Sequence, residues 1–403
     1  MSEPQRIDLT PLQLVSLTGV LLLAFAASLG MAFNIDAIVE SFAASNTQAG
    51  LVASVEMAAI AAGNLTFARL AGRMSVRRIY LAGVLVVVSL NLISVLAPTV
   101  NTLVACRAPA GFALGAVVAT VMATAGRSSK PESTFGVINS MVGAMGIFIA
   151  YALPRALTLH EVLPGPMAFS EVDGLYLVYA LCSLCALLFI RSAPNPEPQP
   201  PSASGSAERP SLLVGWLGLL GLGIVFFGHG TLALFIVKIG RAISLTPEVI
   251  GYVFMAGSLL GVFMPLLAGF LGTRYPARAP IVVILIGIVV AALALAGADT
   301  PLAFFIAAPA FAMLPIAIMP IFLGCLARLD SSGSLTGAHA AFVLIGGAIA
   351  PFAGGALSDL GGFSVNGWFV VACVIVGAAL GYPALKAADA QRRATLRPQP
   401  AHG

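Results

Sequence analysis

Charged residues are scarce in this sequence. Asp, Glu, Lys and Arg together make up 9% of the 403 residues, whereas an ordinary soluble domain carries about 25%. Hydrophobic residues reach 59% and the mean hydropathy is +1.00, which predicts a membrane protein. The net charge of +4 is better explained by membrane topology than by nucleic-acid binding. The expected surroundings are therefore a lipid bilayer, and no nucleic-acid partner is expected.

Residues that bind metals or act as nucleophiles are also few. The five cysteines all lie in apolar runs, and the CxxC pair of Cys182 and Cys185 lacks a nearby soluble redox pattern. None of the four histidines belongs to an HExxH pattern, and no Gly-rich loop is followed by Lys and Ser or Thr. We therefore expect no metal, no cofactor, no catalytic residue and no use of ATP. A polytopic enzyme or a receptor is a distant alternative, because the tail from Lys386 is too short for an output domain.

Long apolar runs, in contrast, are abundant. Twelve of them approach or exceed the length of about 20 residues that a bilayer crossing requires. They cover residues 12–42, 48–70, 79–97, 101–125, 134–155, 173–191, 211–238, 247–272, 280–298, 301–326, 335–358 and 363–385. The chain starts with the polar stretch MSEPQRIDLT, and the first run is too long for the core of a signal peptide. We therefore interpret the first run as a membrane span.

The runs fall into two sets of six, separated by a stretch rich in Pro and Ser that is typical of a solvated linker. We predict an all-α polytopic membrane protein with 12 transmembrane helices in two pseudo-symmetric six-helix bundles. The predicted units are a first bundle at 1–192, a cytoplasmic linker at 193–210, a second bundle at 211–385 and a basic cytoplasmic tail at 386–403. Similar segments in both halves, such as TQAGLVAS at 47–54 and TPEVIGYVFMAGS at 246–258, indicate an internal duplication.

The distribution of Lys and Arg predicts the orientation. With the N-terminus in the cytoplasm, 16 of the 20 basic residues fall in cytoplasmic segments or helix ends, and Arg155, Lys238 and Arg241 fall outside. Cytoplasmic loops show this excess of basic residues. The expected location is a cell membrane of the bacterial inner-membrane type, crossed several times, with both termini in the cytoplasm.

The twentieth basic residue, Arg107, lies inside the apolar run 101–125. An Arg near the centre of a spanning helix costs about 2.5–3.5 kcal/mol on insertion scales, so it should face protein or water and have a partner. Gly111 and Gly115 follow on the same helical face and let a neighbouring helix approach the backbone closely. We assign these two glycines to helix packing.

Over essentially its whole length the chain resembles the major facilitator superfamily of transporters. The resemblance rests on the two sets of six spans, the linker between them and the basic turns after the second and eighth spans. The most specific match is RAPAGFALG, which starts at Arg107 and is similar to the Arg-plus-glycine motif of the family's fourth helix. The resemblance implies two bundles that rock around a central substrate site, with the first and fourth helices lining the cavity.

The sequence departs from this family in two places. The turn after the second span keeps Arg73, Arg77 and Arg78, to which the resemblance gives a conformational role, but Gly72 stands where the family has an acid. The fifth span lacks the Gly-Pro pair that is typical of drug:proton antiporters, and Pro351 lies in the eleventh span instead. The second departure argues against an antiporter.

Three ionisable residues of the first half lie at a similar depth. Asp36, Glu56 and Arg107 are each roughly 9–14 Å from the outer edge at a rise of 1.5 Å per residue, so they are expected to meet. The resemblance makes Asp36 the partner of Arg107, with Asn34 on a nearby turn as a substrate ligand. We assign Asp36, Arg107 and Glu56 to proton coupling, because a carboxylate in a partly dry cavity responds to changes in access. The alternative is an ion pair that only holds the helices together.

His229 and Lys238, both in the seventh run, are the candidates from the second half. The family counterpart of this helix is the first helix, so both residues are candidates for substrate binding together with Arg107. Two other interpretations stay open: His229 as a hydrogen-bonding core residue, and Lys238 as a side chain that extends to the membrane interface.

These residues predict a secondary active transporter for a small organic solute. The preferred version moves an organic anion by proton-coupled alternating access, with the basic residues holding the carboxylate. The alternative is a proton-driven efflux antiporter for amphipathic or drug-like compounds, attracted by Asp36 and Glu56. The expected partners are the solute and protons, and the protein is expected to work as a monomer.

Overall fold

The protein, seen in a computed structural model, is described for residues 7–70, 74–129, 131–162, 170–195, 211–329 and 334–396. Within these ranges the chain forms helices and no sheet. The helices are α1 Pro11–Ala24, α2 Ala26–Leu29, α3 Met31–Phe42, α4 Asn46–Leu70, α5 Val76–Val95, α6 Val100–Gly126, α7 Pro131–Leu157, α8 Leu159–Val162, α9 Glu171–Ile190, α10 Ser211–Ala233, α11 Ile236–Ala242, α12 Pro247–Arg274, α13 Arg278–Ala296, α14 Pro301–Leu329 and α15 Ser334–Leu396. We refer to residues 7–195 and 211–396 as the first and second half.

The helices coincide with the predicted spans. Among the described residues, nine helical segments are long and apolar enough to cross a membrane. One of them, Ala338–Arg393, contains both the eleventh and the twelfth predicted span, and two shorter apolar helices, Pro11–Ala24 and Pro247–Gly261, lie in the first and eighth. All twelve predicted runs are therefore helical, and the predicted all-α membrane fold is confirmed.

The last two spans are two helices that meet at a sharp kink within α15. Gly361 and Gly362 leave helical geometry inside α15, and Gly362 has a φ of 72°, a conformation that glycine adopts at little cost. Beyond the kink the helix continues to Leu396, so the first part of the predicted tail is helical. The rest of the tail and residues 196–210 of the predicted linker lie outside the described residues.

The first and seventh spans are interrupted, which their apolar runs did not indicate. The first breaks around Gly30, where an added Cβ would lie 2.3 Å from the Tyr179 hydroxyl, so a larger residue does not fit. The seventh breaks between α10 and α11. The short segments that follow these breaks, α3 and α11, contact each other across the two halves. We call the end of the bundle where α3 and α11 finish the distal end, and the end nearest both termini the proximal end.

Each half closes on itself at the proximal end in the same way. The backbone N–H of Arg77, in the first turn of α5, donates to the Asn195 carboxamide oxygen at 3.1 Å. In the second half the buried Asp389 carboxylate accepts from the backbone N–H of Ala277 at 2.7 Å, at the start of α13, and from Arg278 Nε at 2.8 Å. In both halves a residue that follows the last span therefore caps the third span, as expected for N-terminal helix capping.

The two halves meet along two helix pairs, α4 with α15 and α7 with α12. A Cβ added to Gly50 on α4 would lie 2.2 Å from the Pro351 carbonyl oxygen, and one added to Gly251 on α12 would lie 2.4 Å from the Ala150 carbonyl oxygen. The same number of residues separates Gly50 from Gly251 as separates Ala43 from Ser244, which are the non-glycine residues with positive φ in the described part of the chain. These matched positions fit an internal duplication.

Candidate functional site

Five charged side chains form a cluster between the halves at the distal end. It contains the acids Asp36, Glu40 and Glu171 from the first half and the cations Lys238 and Arg241 from the second half. We call this group the distal ion cluster. It holds three carboxylates and two cations, so its formal charge is −1 when all five groups are ionised.

Local structure places each member. α3 carries Asp36 and Glu40 one turn apart, and α11 carries Lys238 and Arg241 three residues apart, so each pair shares a helix face. Glu171 is the first residue of α9, which begins at a capping box made by Ser170 and Asp173. The ion cluster therefore joins three helix segments whose positions are fixed by the break before α3, the break before α11 and the start of α9.

Arg241 holds the cluster together. Its Nη1 and Nη2 atoms donate to the two oxygens of Glu171 at 3.1 and 2.7 Å, the bidentate geometry that makes guanidinium–carboxylate pairs strong. Its Nε atom lies 2.7 Å from Asp36 Oδ2, although without hydrogen-bond alignment. Lys238 and Glu40 form a looser pair at 3.7 Å. One second-half guanidinium therefore bridges two first-half carboxylates.

Asp36 is the least solvated member of the cluster. Its side chain is 1% exposed, and Oδ1 has no hydrogen-bond partner among the described residues. A buried carboxylate is costly unless it is compensated, and here the compensation comes from a cation of the other half. The charge balance of Asp36 therefore depends on whether the halves touch at the distal end.

Arg107 lies elsewhere, and the prediction that it pairs with Asp36 is wrong. Its guanidinium donates to Asn91 Oδ1 at 2.9 Å, to the Leu90 carbonyl at 3.0 Å and to Ser94 Oγ at 2.7 Å. It also lies 4.6 Å from the centre of the Tyr176 ring, within range of a cation–π interaction. Arg107 is 1% exposed, and these partners all belong to the first half.

The predicted pairing failed because depth fixes only one coordinate of a side chain. Asp36 and Arg107 were expected at similar depths, but Asp36 faces α11 of the other half, whereas Arg107 faces α5 and α9 of its own half. Breaks at Phe25 and Gly30 separate α1, α2 and α3, so the direction of Asp36 cannot be projected from the start of the first span. The actual partner, Arg241, was assigned to an outer segment by the orientation count.

Glu56 is the acid of α4 that interacts electrostatically with Arg107. Its side chain is buried. Gly111 and Gly115 of α6 lie against this part of α4, and Cβ atoms added there would come within 2.5 Å of the Glu56 carbonyl oxygen and 2.2 Å of the Ile60 carbonyl oxygen. The structure therefore brings the predicted glycines and Glu56 to one helix contact beside Arg107.

The predicted substrate ligands are spread over different environments. Asn34 is buried, and its amide donates to the Ala27 carbonyl at 3.3 Å. His229 is half-buried; its Nε2 lies 3.1 Å from the Phe311 carbonyl oxygen, and its ring centroid lies 4.5 Å from that of Phe311. Lys238 belongs to the distal ion cluster. The structure does not gather Asn34, Arg107, His229 and Lys238 around a single point.

A cavity of about 140 Å³ lies in the second half beside the start of α11. Its lining includes Ile236, the first residue of α11, and is mostly apolar, with Val253, Phe254, Gly257, Ser258, Ala308, Pro309, Ala312 and Met313 as the other residues. The Phe254 ring lies 5.4 Å from the Phe33 ring of α3. The cavity therefore reaches the boundary between the halves, one helix turn from Lys238.

The predicted conformational turn is described only in part. Arg73 lies outside the described residues. Arg77 is exposed and donates from Nη2 to the Arg191 carbonyl at 2.9 Å, and Arg78 is exposed. Arg77 therefore ties the turn after the second span to the end of α9 within the first half.

Sequence reasoning missed Arg241, Glu171 and Asp359. Arg241 could have been found from its spacing, because it lies three residues after Lys238 on the same helix face. Glu171 and Asp359 carried no comparable signal: each is an acid next to a span end, where solvation alone is a sufficient explanation.

These features define a multi-pass membrane protein with two duplicated halves that meet through charged residues. The family model of the Major Facilitator Superfamily matches residues 15–330. The chain belongs to this superfamily and is a transporter rather than an enzyme, as predicted. A search of curated protein sequences finds no match.

Solved transporter structures share the fold. A bacterial homolog of the human lysosomal transporter Spinster, inward-facing and unoccupied, is similar with a TM-score of 0.73 at 16% identity, covering 98% of this chain and 100% of that one. A D-xylose-proton symporter has a TM-score of 0.68 at 12% identity, and the match covers 91% of this chain and 96% of that one. A variant of the peptide transporter POT in complex with alafosfalin has a TM-score of 0.69 at 13% identity, and the match covers 96% of this chain and 97% of that one. At these identities the likeness concerns the fold alone.

Proposed function

We propose that the protein is a secondary active transporter that moves a small, largely apolar organic solute by proton-coupled alternating access. The observation that carries the proposal is Asp36, a buried carboxylate whose only cationic contact among the described residues, Arg241, comes from the other half. The D-xylose-proton symporter, whose fold is shared, supports protons as the coupling ion.

Asp36 links protonation to the contact between the halves. While Asp36 is ionised, its attraction to Arg241 favours the distal-closed arrangement seen in this structure. A proton on Asp36 removes that attraction, and Arg241 is then held only by Glu171. When the halves separate, the carboxylate loses a counter-charge and gains access to water, and both changes alter its proton affinity. Proton binding and distal opening are thus coupled free energies.

The cavity supports an apolar or amphipathic solute. Its lining is mostly hydrocarbon, with Ser258 as a polar group, and ligand sites of this kind gain affinity from apolar burial. The cations predicted to hold an organic anion are engaged: Arg107 by Asn91 and Ser94, and Lys238 by Glu40. The preference for an organic anion stays a prediction, whereas the cavity favours the amphipathic alternative.

Asp36→Asn separates the proposed role from ordinary packing. In proteoliposomes with an imposed proton gradient and a panel of amphipathic cations, neutral compounds and organic anions, the wild type should accumulate one class of solute. The variant keeps the size of the side chain but neither binds nor releases a proton. We expect it to lose gradient-driven accumulation and to retain solute exchange without a gradient.

Glu40→Gln is the matched control, because Glu40 lies on the same helix face but is 47% exposed and only loosely paired. It should keep gradient-driven accumulation near the wild-type level. Accumulation by Asp36→Asn at the wild-type rate, with unchanged pH dependence, would show that Asp36 does not carry the coupling.

The orientation belongs to the same proposal. The excess of basic residues at the proximal segments supports a cytoplasmic position for this end and both termini. The distal ion cluster then faces the outside of the cell. Protection of termini-linked tags from protease in intact cells tests this placement.

A further inference from the structure

A second connection between the halves lies apart from the distal ion cluster. The Asp359 carboxylate, near the end of the eleventh span, accepts hydrogen bonds from the backbone N–H of Asn46 at 3.1 Å and of Thr47 at 2.8 Å. It also accepts from the Thr47 hydroxyl at 2.6 Å. Asn46 and Thr47 are the first residues of α4. A carboxylate of the second half therefore caps a helix of the first half.

The capping role is physically strong. The first N–H groups of a helix have no partner within the helix, and a negative charge at this end interacts favourably with the helix dipole. In most helices the capping side chain precedes the helix in the same chain segment. α4 has such a local cap, because Ser45 Oγ accepts from the backbone N–H of Gln48 at 3.2 Å, and Asp359 adds a second one from 312 residues away in sequence. α4 therefore loses the hydrogen bonds to Asp359, but not its local cap, whenever α15 moves away from it.

The surrounding contact is close enough to hold the cap in place. A Cβ added to Gly355, one turn before Asp359, would lie 2.2 Å from the Asn46 carbonyl oxygen. Further along the same contact, the backbone N–H of Phe352 donates to Ser54 Oγ at 3.0 Å. The α4–α15 contact therefore combines backbone proximity with hydrogen bonds at two levels.

The duplicated contact between α7 and α12 has a different side chain at the corresponding position. By the spacing that relates Gly50 to Gly251, the counterpart of Asp359 is Thr158. The Thr158 hydroxyl donates to the Arg155 carbonyl at 3.2 Å, within its own half. The described bond of Thr158 is thus local, whereas those of Asp359 cross between the halves.

We propose that Asp359 is a positioning residue that holds the transporter in its distal-closed conformation by capping α4 across the two halves. This inference rests on the alternating access proposed above, but it concerns a different residue and helix pair from Asp36. When the distal side opens, the N-terminus of α4 exchanges the carboxylate for water, and that exchange opposes opening.

The Asp359 cap is expected to act independently of the transported proton. Asp359 lies just beyond the predicted span 335–358 and before the kink at Gly361. Burial raises the pKa of Asp359, but the hydrogen bonds from Thr47 and Asn46 outweigh this effect, and the pKa is lowered from its ordinary value of 3.8. The carboxylate therefore stays ionised at neutral pH, and the contribution of the cap is lost only as the pH falls through this lowered pKa.

The test measures the distance between the halves without solute and without a proton gradient. Spin labels are attached to cysteines introduced at the exposed residues Leu51 on α4 and Leu360 on α15, after the five native cysteines are replaced by alanine. In the wild type the short, distal-closed distance should dominate. Asp359→Ala should raise the ratio of long to short distances roughly tenfold, the effect of losing one strong helix cap.

Graded variants separate this role from a local one. Asp359→Asn retains one acceptor, so its ratio of long to short distances should lie between those of Asp359→Ala and the wild type. Thr47→Val removes one of the three hydrogen bonds to Asp359 and should raise this ratio less than Asp359→Ala does. The matched controls are Thr158→Ala, at the duplicated position, and Asp299→Ala, an exposed acid before α14. Both should leave the distance distribution unchanged.

A distance distribution for Asp359→Ala that superimposes on the wild type would overturn the proposal. A lowered melting temperature with an unchanged distribution would also overturn it, since the cap would then only stabilise α4. Because no flux is measured, failure of the Asp36 mechanism would leave this result intact, and the reverse also holds.

Discussion

At the residue scale, Arg107 and Arg241 show two different uses of a guanidinium in a membrane protein. Arg107 donates hydrogen bonds to two side chains and a carbonyl of its own half and lies over the Tyr176 ring. Arg241 joins carboxylates of the other half. The first arrangement is the same in any position of the two halves, whereas the second exists only when they meet. Their substitutions should therefore have different consequences.

Arg107→Ala should act mainly on stability. It leaves Asn91 Oδ1 without its donor in a buried site, which costs about 1–3 kcal/mol, while the Leu90 carbonyl still accepts from Ser94 Oγ. Thermal unfolding in detergent should show a clearly lower midpoint. The control is Arg155→Ala, because the Arg155 side chain is exposed, donates to the Tyr151 carbonyl and lies over the Tyr151 ring. A normal melting temperature for Arg107→Ala with lost transport would instead support the predicted role in coupling.

At the element scale, the interrupted spans are the feature that the sequence concealed. The runs 12–42 and 211–238 are apolar throughout apart from isolated polar residues, and hydropathy reports the length of a run but not its continuity. The break near Gly30 depends on the contact with Tyr179 of α9, which is a tertiary contact. Span number and boundaries were predictable because lipid imposes them on composition; helix direction and rotation were not.

A second element-scale consequence concerns the helical tail after residue 385. Asp389 is buried there and caps α13 through the N–H of Ala277. Asp389→Ala should therefore lower the stability of the second half by about 1–2 kcal/mol, the usual range for a lost cap. The comparison is Asn195→Ala in the first half, whose exposed carboxamide makes the weaker 3.1 Å bond to Arg77 and whose loss should cost less. Equal midpoints for wild type and Asp389→Ala in thermal unfolding would contradict this expectation.

At the scale of the whole molecule, the described hydrogen bonds and ion pairs between the halves lie toward the distal end. They comprise the distal ion cluster, the Asp359 cap and the bond from Phe352 to Ser54. The sequence indicated the halves and their duplication, but not this arrangement, because it depends on which helix faces cross between the halves. For Asp36, the packing of α3 against α11 decides which cation it contacts.

The distal ion cluster predicts a pH-dependent conformation of the whole molecule. Protonation of Asp36 removes one of the two carboxylates bound to Arg241, while Glu171, Glu40 and Lys238 keep the remaining ion pairs. Protonation also removes the cost of burying an ionised carboxylate, so the balance between distal-open and distal-closed molecules should shift as the medium is acidified. The same pair of spin labels would report the shift. Asp36→Asn should abolish this dependence, and Asp359→Ala should keep it from a more open starting point. A wild-type distribution that is constant with pH would argue against Asp36 as the responding group.

The paired proximal caps also bear on biosynthesis. The backbone N–H of Arg77 donates to Asn195, and that of Ala277 donates to Asp389. Each acceptor lies more than a hundred residues later in the chain than its donor. Until the ribosome has completed a half, the backbone N–H groups at the N-terminus of its third helix can only hydrogen-bond to water. Each half acquires the cap of its third helix only when its own final helix has been delivered to the bilayer. The first half can therefore complete this cap before any part of the second half is translated, whereas Asp359 at α4 and Arg241 at Asp36 arrive only with the second half.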